Sequence, residues 1–253
     1  MRYLTAVAAL GLLLTVTATA GATSVDTGDV YLQNHKSGAL TYGYIKVYGD
    51  GHNGATGNGG IYQFTATDKS PDCIRSGEGQ LVPDWGFCSD LPQEPAKGCY
   101  DVVRVQDVPL PHYGPMGAQK AAYIEQMWAR YFDDAWLTSP SNTEKKKAEA
   151  FGATIWEIVY EPYQTDPGLY DVTTFQGTSP TAFKCDQCEL ASTANTWLHS
   201  LDDGTPYTAP ALRGLTHDSG QDFIVELVPE PVTMAGLALG VGALGGYLRR
   251  RRK

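Results

Sequence analysis

Five cysteines carry most of the reactive potential of this chain: Cys73, Cys88, Cys99, Cys185 and Cys188. A cysteine acts as a nucleophile, a metal ligand or half of a disulfide, and its surroundings decide which. Cys185-x-x-Cys188 has the spacing of a zinc or redox pair. A structural zinc site needs four ligands, however, and no second pair or histidine pair stands at a fitting distance. A redox role would need a βαβ setting that the pattern does not offer. The five histidines (35, 52, 112, 199 and 217) stand singly, with no H-E-x-x-H among them. Gly177 to Thr181 lacks the closing glycine of a nucleophile elbow. Asp133-Asp134 and Asp202-Asp203 read as solvated turns or faces. Glu157 and Glu161, one helical turn apart, read as the wet side of a helix. Gly49, Gly51 and Gly54 formally spell G-x-G-x-x-G, but no helix follows, so residues 49–60 read as a flexible hairpin loop. A calcium site on Asp50 and Asn53 would be short of carboxylates. The chain is therefore read as non-enzymatic, with no metal and no cofactor.

The elements that would position these residues begin after a secretory leader. Arg2, the apolar run Leu4–Val16 and Ala18-Thr19-Ala20 have the parts of a signal peptide, assigned to residues 1–20. An exported chain enters an oxidising compartment, where disulfides are the default. Sequence does not fix the pairing. The reading adopted is Cys73 with Cys99 and Cys185 with Cys188, which leaves Cys88 over. The body, residues 21–227, opens as β. Val30–Gln33, Tyr42–Tyr48, Ile61–Ala66, a short segment carrying Cys88 and Tyr100–Val108 read as strands, by period-2 alternation where it shows. The middle is helical. Ala121, Ile124, Trp128, Tyr131 and Ala135 form one apolar stripe. Ser141-x-x-Glu144 is a capping box that opens a second helix, buried through Ala148, Phe151, Gly152, Ile155, Ile158 and Val159. Asp171–Phe175 reads as a strand, Leu190–Leu201 as a short helix and Gln221–Val228 as the last strand. The fold class is then α+β: an antiparallel β-sheet or small barrel with an inserted antiparallel helical pair, plus a C-terminal transmembrane helix.

Charge narrows the partners. The chain has 28 acidic and 19 basic residues. Setting aside Arg2, Glu230 and the five basic residues at the C-terminus leaves 27 against 13, a net charge of −14 for the body. Nucleic-acid binding needs positive charge to displace counterions, so that class of partner is excluded.

The tail, residues 228–253, reads Pro229-Glu230-Pro231, then an uncharged run to Leu248, then Arg249, Arg250, Arg251, Arg252 and Lys253. A 17-residue helix spans roughly 25 Å, just short of the hydrocarbon core. The basic cluster would remain cytoplasmic, with the body on the far side of the membrane. This order of parts resembles the PEP-CTERM sorting tail of secreted bacterial proteins. The resemblance implies recognition by an exosortase-type membrane protease, after passage through the Sec machinery and signal peptidase. It also implies transient anchoring, then delivery to the cell surface or extracellular matrix, with exopolysaccharide or another surface ligand as a partner.

A second resemblance rests on Gly86-Phe87-Cys88-Ser89-Asp90-Leu91, Ala121-Ala122-Tyr123-Ile124 and Ala150–Glu161. These are similar, in order, to the thioester domains of bacterial surface adhesins. There a cysteine on a strand condenses with a glutamine in a Gln-x-Ala-Ile-Trp helix, and the acyl group is captured by an amine on a target. This chain departs from the pattern at the position that matters: Gly152 stands where the glutamine belongs and Thr154 where the alanine does. The resemblance therefore implies the fold without the bond. The function read from the sequence is a secreted, exosortase-processed structural or adhesive protein. The alternative is an adhesin that couples to amines through Cys88. Gln119, Gln126 and Gln164 are the replacement acyl donors considered.

Overall fold

The computed structural model describes residues 28–49, 52–67, 85–91, 93–110, 114–175, 183–185 and 188–227. Over these residues the chain is α+β, with a curved antiparallel sheet resembling a half-barrel and three α-helices. The strands are β1 (Gly28–Gly49), β2 (His52–Thr67), β3 (Trp85–Cys88), β4 (Gly98–Val103), β5 (Pro109–Leu110), β6 (Gly114–Pro115), β7 (Lys184–Cys185), β8 (Leu212–His217) and β9 (Gly220–Glu226). The helices are α1 (Ala118–Tyr131), α2 (Asn142–Tyr160) and α3 (Cys188–Leu198). The main sheet runs β2-β3-β9-β8-β4-β1-β7, and β1 also pairs with β2, so the ladder returns on itself. β5 and β6 form a separate two-stranded piece.

Residues 49–60, expected as a loop, lie mostly within the sheet. The β1–β2 ladder continues to Gly49–His52, with Ile45 opposite Gly57 and Tyr42 opposite Gly60. Only residues 50 and 51 stand between the paired ends, and they are Asp-Gly, the commonest two-residue hairpin signal. β8 had no counterpart in the sequence reading. It forms because β4 and β9 pair on either side of it. Gly214 within it meets Val108 so closely that an added Cβ would lie 2.2 Å from Val108 Cγ2. A glycine inside a strand marks such an approach.

The capping box forms as expected: Glu144 N–H donates to Ser141 Oγ at 3.3 Å, and Ser141 N–H donates to Glu144 Oε2 at 2.5 Å. Ala121, Ile124 and Trp128 are buried along α1. The stripe stops earlier than Ala135, which is exposed. Asp133 Oδ1 accepts Ala135 N–H at 2.9 Å and starts a new 3-10 turn that buries Trp136 instead. Asp171–Phe175 is not a strand. Asp171 Oδ1 accepts Thr173 N–H and Thr173 Oγ1–H at 2.9 and 2.6 Å, and such local bonds compete with a ladder.

The core lies between the sheet and the helices. Phe87 of β3 meets Trp128 edge-on at 5.4 Å and Phe151 at 4.8 Å, and Phe151 in turn meets Trp136 at 5.5 Å. From Ala148 to Tyr160 every residue of α2 is buried, so this helix is central rather than amphipathic.

Cys99 is disulfide-bonded, and its expected partner Cys73 lies outside the described residues. Cys185 is buried: β7 pairs it with Val47 and its side chain lies in the core. Its expected bond to Cys188 involves a side chain outside those described. Among the described residues no helix is long and apolar enough to cross a membrane. The leader 1–20 and the tail 228–253, with Pro229, Glu230, Pro231 and the arginine cluster Arg249, Arg250, Arg251 and Arg252, lie outside them.

Candidate functional site

β3 positions Cys88. Its partners are Ile61 to Gln63 on one side and Ile224 and Phe223 on the other, with Cys88 opposite Phe223. The strand ends there, and the chain turns so that Cys88 Sγ–H donates to Asp90 O at 2.9 Å while Asp90 N–H approaches the sulfur at 3.3 Å. Cys88 is 2% exposed. Burial is the main cause that pushes its thiol well above the ordinary range, and the charges of Asp90 and Asp222 push the same way. The indole N–H of Trp156 on α2 faces the sulfur and lowers the shift in part, short of hydrogen-bond geometry. The site therefore holds an un-ionised thiol, and the thiol is the unreactive form.

Around it lies a polar group that sequence reasoning missed. Gln221 Nε2–H donates to Asp90 O at 3.0 Å, so the Gln221 carboxamide and the Cys88 thiol converge on one carbonyl. Gln221 Oε1 and Ser89 Oγ are buried without partners. Asp222, beside it on β9, accepts His217 N–H at 2.9 Å, and Ser89 N–H donates to Asp222 O at 3.0 Å. Burial first, then the neighbouring Asp90, pushes the Asp222 carboxyl up to about 7, against the pull of the His217 bond. Tyr160 closes the group from α2, accepting Leu91 N–H at 2.7 Å and reaching Asp90 Oδ1 at 3.5 Å. A signal for Gln221 was present: by period 2 it shares the strand face of the apolar Phe223 and Val225.

Gly152 lies one helical turn before Trp156. An added Cβ would stand 3.2 Å from Gly60 N and 3.8 Å from Phe87 Cδ1, so backbone and ring fill the place into which a longer side chain would reach. The other glutamines considered are engaged elsewhere or exposed. Gln126 Oε1 accepts Asp202 N–H at 2.6 Å, Gln164 is held through its backbone by Tyr123 and Tyr170, and Gln119 is exposed.

A second buried polar group lies at the C-terminal end of α2. Glu157 and Glu161, expected on a wet face, are both 0% exposed. Glu157 Oε1 accepts Asp171 N–H at 2.9 Å, its Oε2 has no partner, and Glu161 Oε1 accepts Phe183 N–H at 3.0 Å. Lys120 of α1 donates to Val159 O and Glu161 O at 2.8 and 2.7 Å. Burial pushes Lys120 down to about 8, although both glutamates oppose this. Burial and then Glu161 hold the Glu157 carboxyl well above the carboxylate range. Asp171 also accepts Asn195 Nδ2–H at 2.7 Å, and the His199 ring bonds Tyr170 O at 2.8 Å. This group ties α1, α2, α3 and the 161–173 connection together. Among the described residues, no three His, Cys, Asp or Glu side chains are grouped as a metal site.

No family model, no curated protein and no solved structure matches this chain.

Proposed function

We propose that this is a PEP-CTERM-type, exosortase-processed protein of the cell surface or matrix whose body serves as a non-catalytic, structural or adhesive scaffold. Its finer architecture on this reading is a small barrel with α1 and α2 as an inserted antiparallel pair and the tail as a transmembrane helix. The observation that carries the non-catalytic half is the packing of Gly152 on Gly60 and Phe87, which leaves no acyl group at the helix position that the resemblance assigns. The buried, un-ionised Cys88 thiol points the same way. Export and sorting rest on residues 1–20 and 228–253. Deleting Val228–Lys253 abolishes membrane retention and processing on this reading. Unchanged fractionation and mass of the exported chain would refute it.

One observation favours the thioester reading instead, with Gln221 rather than a helix glutamine as acyl donor: its carboxamide shares the Asp90 carbonyl with Cys88. In that reaction the sulfur adds to the carboxamide carbon, the carbon–nitrogen bond breaks and ammonia leaves with the thiol proton. Intact mass of the secreted body separates the two readings. Full composition mass supports the scaffold. A mass short by one ammonia, converted by methylamine to its adduct, supports the thioester.

A further inference from the structure

We propose that the end of the body from which the tail leaves, carrying Trp85, Phe132 and Tyr207, docks on the bilayer surface at headgroup level while the chain is anchored. The inference rests on the sorting-tail reading and adds to it which face of the body the membrane covers.

The exit point is fixed on the body. β9 ends at Glu226, whose Oε2 accepts the Trp128 indole N–H at 2.8 Å, and Leu227 N–H donates to Ala211 O at 2.9 Å. α1 and the chain entering β8 therefore hold Leu227 in place. Only residues 228–231 stand between it and the apolar run that starts at Val232. Four residues span at most roughly 14 Å. A membrane span that starts there keeps this end of the body within that reach of the lipid. The β8–β9 hairpin runs roughly 20 Å to its other end, where Asp218 and Ser219 are exposed.

Aromatic rings gather at the exit. Trp85 opens β3, which runs antiparallel beside β9. A Cβ on the next residue, Gly86, would meet Val225 Cγ1 at 2.8 Å, so Trp85 stands level with Glu226. The Trp85 ring stacks on Phe132 at 5.0 Å, and Trp128 stacks on the two rings at 6.0 and 5.1 Å. Trp85 and Phe132 are half-buried, whereas Trp128 is buried. Tyr207 is exposed on the segment leading into β8, and the charge of Glu125 on α1 acts on both Tyr207 and Arg213 of β8. Trp and Tyr rings, apolar in body and polar at the tip, concentrate at the membrane–water interface. Asp133 and Asp134, exposed directly after Phe132, limit the depth: the rings reach the headgroups and the carboxylates stay in water. The acidic body favours zwitterionic over anionic headgroups.

The test uses the full chain with its tail, reconstituted in phosphatidylcholine vesicles. Of the five tryptophans, Trp85 is half-buried and the other four are at most 9% exposed, so a quencher at the surface reads chiefly Trp85. A nitroxide on the headgroup lowers the emission, phosphatidylglycerol vesicles give a smaller loss, and Trp85→Phe removes most of it. A chain that the vesicles retain without headgroup quenching overturns the docking and leaves the sorting-tail reading standing. A chain that they do not retain overturns both. A loss that Trp85→Phe leaves unchanged puts another face on the lipid and overturns the proposal, as does shielding from aqueous acrylamide without headgroup quenching, which means that the chain's own apolar run covers the rings. If Trp85→Phe fails to fold, amide exchange of the unaltered chain decides. On transfer from detergent to vesicles it slows at Tyr207, Thr208 and Ala209 but not at Asp218, and no such difference overturns the docking.

Discussion

The two buried polar groups flank α2 and are built by opposite means. Around Cys88 most bonds are local or between neighbouring strands, Cys88 to Asp90, Asp222 to His217 and Gln221 to Asp90 O, with Tyr160 of α2 closing over them. They use backbone groups, an un-ionised thiol and a carboxamide, with the Asp222 carboxyl raised to about 7 beside them. Around Lys120 the bonds join separate segments: Lys120 of α1 bonds Val159 and Glu161 at the end of α2, Glu157 takes Asp171 from the turn beyond it, and Glu161 takes Phe183 from before β7. That group contains a lysine and two glutamates with no exposed surface on either acid. The difference separates a sealed pocket, tolerant of small changes, from a set of opposed charges that fails when one member is removed.

The largest effect follows from that contrast. Lys120→Met keeps volume but strips the buried cation from Glu157 and Glu161. Removing one side of a buried charge group costs about 3–5 kcal/mol. Urea unfolding should show that loss together with faster exchange of the 161–173 amides. A loss below about 1 kcal/mol would mean that the two groups do not differ as described.

Gly152→Ala comes next. The added Cβ stands 3.2 Å from backbone that has no flexible end to move aside. Overpacking of this kind costs about 1–3 kcal/mol. A neutral or stabilising result would show that room exists for a longer side chain there and would reopen the helix position as an acyl site.

Asp222 in the first group and Lys120 in the second respond to pH in opposite directions. Asp222 is raised in the folded state to about 7 from an ordinary value of 3.8. The folded protein therefore holds a proton that the unfolded chain has released. The stability it lends is full below the unfolded value and is lost as pH rises toward 7. Lys120 is lowered to about 8 from 10.5. Its stabilising share is absent below about 8 and grows as pH rises through the unfolded value. Denaturation midpoints against pH should show the first slope vanish in Asp222→Asn and the second vanish in Lys120→Met. Parallel slopes in both variants would erase the contrast.

Legibility followed locality. The Ser141 and Glu144 cap, the α1 stripe as far as Trp128 and the β9 strand were readable because each is set by residues a few positions apart. Glu157 and Glu161 were misread because α2 is covered on all sides, which periodicity within the helix does not report. One signal did exist: after Lys147 the helix carries no basic residue to stand one turn from either acid. β8 was missed because Arg213 and Gly214 interrupt its alternation, and its strand form comes from β4 and β9. For the site, Cys88 was found from its type and Gly152 from the resemblance. The convergence of Gln221 on Cys88 depends on a contact across 131 residues, which spacing alone does not encode.

The smallest expected effect bears on the sealed pocket itself. In Cys88→Ser the hydroxyl can repeat the donor bond to Asp90 O, and neither the thiol nor the hydroxyl carries charge. The cost is then the ordinary net worth of one hydrogen bond, about 1 kcal/mol or less, with little change in the pH slopes assigned to Asp222. An acyl link between residues 88 and 221 predicts more. Serine would remove a covalent tie between β3 and β9, the secreted chain would regain one ammonia in mass, and the unfolding midpoint would fall far more than a hydrogen bond explains. Mass and midpoint together therefore separate a pocket closed by packing from one closed by a bond.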